Sequence, residues 1–169
     1  GQYILQQHKL PVPDPFSWTT YLGKPAYPGE ETTRYFNLTH EWLSQALLYG
    51  SFAVGGFKGL ILMRAFWLTA FCAIAGLITY RRTDDFYRAF GVSFATVCIL
   101  RNFVADRPQY VTYVFLALTI LLLESRKRLW LLPPLFLIWA NCHAGFIMGW
   151  VVMGAYCAES LFLRWRGKT

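Results

Sequence analysis

Apolar residues fall into five blocks from residue 59 onward, each closed by charge or by a turn. The first, Gly59–Tyr80, has 22 residues. As a helix it would be about 33 Å long, enough to cross a bilayer core of about 30 Å. Phe86–Phe103 follows with 18 residues, about 27 Å of helix. The third runs from Arg107 to Glu124, with Asp106 placed to cap it and Pro108 in its first turn, where a missing N–H is tolerated. The fourth, Leu129–Ala140, has 12 residues and carries Pro133-Pro134. At about 18 Å it crosses only if it extends past His143. The fifth, Phe146–Leu163, again has 18 residues.

Upstream the pattern changes. Residues 1–36 are polar, aromatic and rich in proline. Pro11, Pro13, Pro15, Pro25 and Pro28 forbid a long helix, so the pattern predicts a loop after a short helix over Tyr3–Gln7. Residues 37–50 read NLTHEWLSQALLYG. Asn37 or Thr39 can cap a helix there. Leu43, Ala46 and Leu47 share one face, while His40 with Ser44 and Glu41 with Gln45 make a polar stripe at i, i+4 spacing. Trp42 and Tyr49 are nearly in line and suit the headgroup level. This spacing predicts a short interfacial helix, with Glu41 turned toward Arg107 or His143. A helix packed on other protein fits the same pattern. The expected fold is all-α: a polytopic membrane helical bundle of about five membrane segments over 57–169. An extracytoplasmic loop and an interfacial amphipathic helix precede it over 1–56.

Composition agrees with that class. The chain has 169 residues, 56% hydrophobic and 15% charged, where a soluble domain has about 25% charged. A soluble domain this small has too little interior for so much apolar surface. Disordered chains are apolar-poor and are excluded. The four cysteines, Cys72, Cys98, Cys142 and Cys157, lie in or beside apolar runs with no CxxC pair, unlike a disulfide scaffold. The formal net charge is +7. No nucleic-acid motif accompanies it, so no nucleic-acid partner is expected.

The basic residues instead orient the blocks. If the blocks alternate across a bilayer, one side receives Arg81, Arg82, Arg88, Arg126, Lys127, Arg128, Arg164, Arg166 and Lys168. The other receives Lys58, Arg101 and Arg107. Nine against three makes the first side cytoplasmic. The opposite, outer side then collects Asp14, His40, Glu41, Arg101, Asp106, Arg107, Gln109, Asn141 and His143. Polar groups at a bilayer are costly and mark function by default, although loops are also polar simply because they are wet. HEWLS begins like the zinc helix HExxH, but Ser44 replaces the second ligand. Cys142-His143 supplies two ligands and no more, so no metal site is expected from spacing.

Four stretches carry a resemblance: DPFSWT at 14–19, HEWLSQALLY at 40–49, RPQYVTYVFLAL at 107–118 and LPPLFLIWANCHAGF at 132–146. In this order they resemble bacterial multi-pass proteins related to the GT-C glycosyltransferases, similar to protein mannosyltransferases and lipid-A aminoarabinose transferases. The resemblance implies an enzyme of the bacterial inner membrane. It would take a sugar from a polyprenyl-phosphate-linked donor at the outer face and pass it to an extracytoplasmic acceptor. It further implies a catalytic acidic residue in the first outer loop, here expected upstream of Gly1, and more helices than five. Within this chain it makes Asp14 and Glu41 the acid/base or metal-binding candidates. His40, Arg101, Arg107, Gln109, Asn141 and His143 become the donor-binding candidates. The lipid bilayer and the lipid-linked sugar are the implied partners, and a divalent cation is left open as cofactor. The competing expectation is a non-catalytic membrane scaffold or accessory subunit. A transporter fits less well, since no block aligns two polar residues at its midplane.

Overall fold

The computed structural model describes residues 1–12, 14–15, 27–100 and 108–167. Among these the secondary structure is entirely helical. Seven α-helices follow in order: α1 (Gln2–Gln7), α2 (Glu30–Thr39), α3 (Trp42–Thr83), α4 (Phe86–Leu100), α5 (Gln109–Ser125), α6 (Leu132–Cys142) and α7 (Phe146–Trp165). A 3₁₀ turn over Leu129–Leu131 leads into α6.

The amino-terminal part departs from expectation in one element. A helix, α2, occupies 30–39, where proline density pointed to a loop through 36. The last proline, Pro28, lies just before the left-handed Gly29 that opens it. Glu30 and Glu31 then sit in the first turn, where carboxylates oppose the positive helix end. Arg34 returns to Glu30 at 2.5 Å. At the other end Thr39 Oγ1 donates to the Tyr35 carbonyl at 2.8 Å. The next helix accordingly starts at Trp42, not at Asn37 or Thr39.

α3 contains both the expected interfacial helix and the first apolar block, joined at Gly56. There φ is 57° and ψ −144°, and the helix breaks. The two arms fold toward each other. Ser51 Oγ donates to Met63 Sδ at 3.0 Å, and the rings of Phe52 and Phe57 meet edge to face at 5.4 Å. The predicted apolar face of the first arm holds in part: Ala46 is buried and Leu43 packs on the core, but Leu47 is exposed.

α5 is the central helix. It buries Tyr110, Val111, Thr112, Val114, Ala117 and Thr119 and packs against α3, α6 and α7. Tyr110, Val111 and Cys142 form a core on which Leu43, Met63, Trp67 and Leu68 close. Aromatic rings knit it together. Trp67 lies 6.3 Å from Tyr110 and 6.0 Å from Phe115, which meets Trp139 at 5.9 Å. α4 packs on α3, where Ser93 Oγ donates to the Cys72 carbonyl at 3.0 Å. At the far end of the bundle Arg82 and the Tyr156 hydroxyl both reach Glu124, tying α3, α5 and α7.

Two helices, α3 and α7, are long and apolar enough to cross a membrane. Only 11% and 6% of their most apolar stretches are buried within the protein, so they are not core helices. Their outward surfaces carry Phe57, Leu62, Phe66, Trp150, Val151 and Leu161. α4, with 15 residues, α5, with 17, and the stretch Leu129–Cys142 are apolar but shorter.

Candidate functional site

Four polar residues of the expected outer-face set, His40, Glu41, Asn141 and His143, meet where the turn between α2 and α3 lies over the end of α6. His40 ends α2. Its ring stacks on Phe36 at 4.5 Å and its Nδ1 approaches the Phe36 carbonyl at 2.8 Å. Glu41 follows as the residue preceding α3. Its Oε1 lies 3.5 Å from His40 Nε2 and 3.7 Å from His143 Nε2. The three side chains are each roughly a quarter exposed, so the carboxylate is neither free in water nor sealed away. No described residue hydrogen-bonds Glu41 Oε2.

Hydrogen bonds across long sequence separations fix this arrangement. Trp42 Nε1 donates to Asn141 Oδ1 at 2.6 Å, and the Asn141 amide nitrogen donates to the Leu137 carbonyl at 2.8 Å. Buried Ser44 donates to the Cys142 carbonyl at 2.7 Å, satisfying an end-of-helix acceptor of α6. His143 leaves the helix in extended conformation and turns into α7. Its Nδ1 lies 2.9 Å from Thr112 Oγ1 and accepts the Gly145 N–H at 3.0 Å. Thr112 in turn accepts the indole N–H of fully buried Trp139 at 3.0 Å.

Gly145 is required here because a β-carbon on it would enter the space of Thr112 and His143. Residues 143–145, between α6 and α7, therefore form a turn shaped against α5.

Known protein families, curated proteins and solved structures offer no match to this chain. Its chemistry is thus read from its own residues.

Glu41, His40, Asn141 and His143 come together as described. Glu41 meets His143, one of the two partners its stripe predicts; the other, Arg107, lies outside the described residues, as does Arg101. Gln109 is half-buried at the start of α5. Asp14 lines a different cleft of about 270 Å³, with Tyr27, Glu30, Thr33, Arg34, Asn37 and Leu38. Glu41 does not line that cleft, so the two acid/base candidates belong to separate clusters.

The sequence reading missed Thr112, Trp42, Ser44 and Trp139 as parts of this site. Ser44 belongs to the polar stripe with His40 and spoils a zinc motif, but nothing in the pattern pairs it with Cys142, and Thr112 is a lone hydroxyl in an apolar block. Among the described residues no group of His, Cys, Asp and Glu has the geometry to hold a metal ion.

The arrangement can accept a proton at a carboxylate whose other oxygen lies 3.5 and 3.7 Å from two imidazole nitrogens. Neighbouring Trp42 and Asn141 are engaged with each other, so they act first as a clasp between α3 and α6.

Proposed function

We propose that this protein is an integral membrane glycosyltransferase with about five membrane segments in this region. It transfers a sugar from a polyprenyl-phosphate donor to an acceptor on the extracytoplasmic side of the bacterial inner membrane. The observation that carries the reading is Glu41 between His40 and His143, at the end of the bundle away from Arg82, Glu124 and Tyr156. Isolated polar groups in such a place are expensive and mark a site. The nine-to-three split of Lys and Arg supports placing this end outside.

In the proposed reaction Glu41 Oε2 takes the proton of the acceptor hydroxyl. The oxygen then bonds to the anomeric carbon, and the bond from that carbon to the donor phosphate breaks. Polyprenyl phosphate departs with the electron pair. His40 Nδ1 meets a carbonyl, which only accepts, so Nδ1 carries a proton. In the neutral ring Nε2 is then the unprotonated nitrogen, 3.5 Å from Glu41 Oε1. Arg101 and Arg107 are the proposed cations for the leaving phosphate, since a planar guanidinium suits phosphate oxygens. Gln109 and Asn141 are proposed as neutral donor contacts and Asp14 as a second acidic group on the acceptor side.

The test uses purified full-length protein in lipid nanodiscs, radiolabelled polyprenyl-phosphate sugars and a water-soluble glycan acceptor. Glu41→Gln should lower transfer by about 10²–10⁴-fold, the usual worth of a positioned base. Binding of unlabelled polyprenyl monophosphate should persist in that variant. Wild type that fails to bind polyprenyl monophosphate would overturn the reading and favour the scaffold alternative. Full transfer by Glu41→Gln would remove Glu41 from the mechanism.

A further inference from the structure

The two imidazoles that face Glu41 are wired in opposite senses. His40 holds its proton on Nδ1, against the Phe36 carbonyl. His143 has a backbone donor at the same atom: the Gly145 N–H reaches its Nδ1 at 3.0 Å. A ring nitrogen has one in-plane lone pair, so a nitrogen that accepts an N–H carries no proton. The proton of neutral His143 is then on Nε2, the atom 3.7 Å from Glu41 Oε1.

Thr112 adds a second constraint from inside the bundle. The Trp139 indole can only donate, and it donates to Thr112 Oγ1 at 3.0 Å. The hydroxyl keeps one proton to give, and His143 Nδ1 lies 2.9 Å away. Trp139 is 0% exposed and Thr112 9%, so water does not compete for these bonds. A chain of donors thus runs one way, from indole to hydroxyl to imidazole and on toward the carboxylate.

We propose that Thr112 is a positioning residue that shares the single Nδ1 lone pair with the Gly145 N–H and so secures His143 in its Nε2–H tautomer. In that state His143 turns its Nε2–H toward Glu41 Oε1, 3.7 Å away, and has no Nε2 lone pair to offer a metal. This rests on the reading of Glu41 as the base. A histidine that ligates metal through Nε2 gives its Nδ1–H to an acceptor. Only His40 is wired that way, although His40, Glu41 and His143 are residue types that suit a metal. His143 instead directs a proton toward Oε1 and leaves Oε2 for the acceptor.

The test is ¹⁵N NMR of the full chain with labelled histidine, in nanodiscs. The sequence has three histidines, so His8→Gln, His40→Gln and His143→Gln assign the signals. Wild-type His143 should show a protonated Nε2 and a bare Nδ1, with His40 the reverse. Added Zn²⁺ should leave the His143 signals in place. Thr112→Ser should keep the tautomer. Thr112→Val should mix the tautomers and lower kcat by about five- to tenfold with donor KM unchanged, the worth of one net hydrogen bond.

A proton on His143 Nδ1 in wild type, or a Zn²⁺ shift at His143, would overturn the proposal. So would a folded Thr112→Val with wild-type tautomer and kcat. If Thr112→Val does not fold, Thr112→Ala is read by the same spectrum, and an unchanged tautomer there would overturn the role of Thr112. The predicted tautomer with full transfer by Glu41→Gln would leave the wiring standing and sink the catalytic reading alone.

Discussion

Alanine at Gly145 puts a methyl group where the turn before α7 has no room. An ideal β-carbon there lies 2.6 Å from Thr112 Cγ2 and 2.9 Å from His143 Nδ1, and nearer still to Thr112 Oγ1. Thr112 cannot swing away cheaply, because its hydroxyl holds both the Trp139 indole and the His143 ring. Overpacking of this kind costs about 1–3 kcal/mol. Displacing Thr112 would also leave the buried indole N–H unpaired, for about 1–3 kcal/mol more. The backbone itself accepts alanine, since φ is −61°, and loss of glycine returns up to about 1 kcal/mol through the unfolded chain. The net is a destabilisation of about 3 kcal/mol.

Cys142 reports it directly. It is 1% exposed and next to the turn, so a thiol reagent reaches it only when the turn opens. In a background with Cys72, Cys98 and Cys157 changed to alanine, Gly145→Ala should raise the Cys142 labelling rate by about 100-fold, at 1.4 kcal/mol per tenfold. Gly91→Ala is the control. Nothing lies within 4 Å of its β-carbon, and alanine favours a helix by about 1 kcal/mol. An unchanged labelling rate in Gly145→Ala would mean that the turn does not press against α5, and the wiring of His143 would fall with it.

Ser44→Ala removes the donor to the Cys142 carbonyl and leaves that acceptor buried; the same labelling assay should detect a loss of about 1–3 kcal/mol. Arg107→Ala should weaken polyprenyl monophosphate binding by about 1.5–3 kcal/mol, the worth of a charge-assisted hydrogen bond, and Arg107→Lys should restore part of it; equal affinities by titration would strike Arg107 from the donor site. Single cysteines at Thr83 or Ser125 should resist an impermeant thiol reagent outside intact cells, while one at Thr33 should react, and labelling of Ser125 from outside would reverse the proposed orientation.

The apolar blocks were legible because charge and turns close each of them. Phe86–Phe103 and Phe146–Leu163 correspond to α4 and α7 with the same first residues. Leu129–Ala140 becomes a 3₁₀ turn and α6, with its prolines in the first turn of the helix, where they are tolerated. α2 was not legible, since its stabilisers are local pairs such as Glu30 with Arg34, which a run of nearby prolines masks. Nor was the continuity of α3, whose 42 residues hide a break that depends on one glycine. In the site, the convergence of Glu41 and His143 was readable as one of two pairings. Thr112 was not, because its partners Trp139 and His143 are 27 and 31 residues away and only tertiary packing brings them together.

Gly56 has a consequence best put as a length. Unbroken, the 42 residues of α3 would make a rod of about 63 Å, twice the thickness of a bilayer core. Its upper third would project like a mast, carrying Trp42 far above the end of α6. The observed φ of 57° with ψ of −144° belongs to a region that only glycine occupies readily. That one missing β-carbon lets the mast fold down, and it sets the height at which the carboxylate of Glu41 stands.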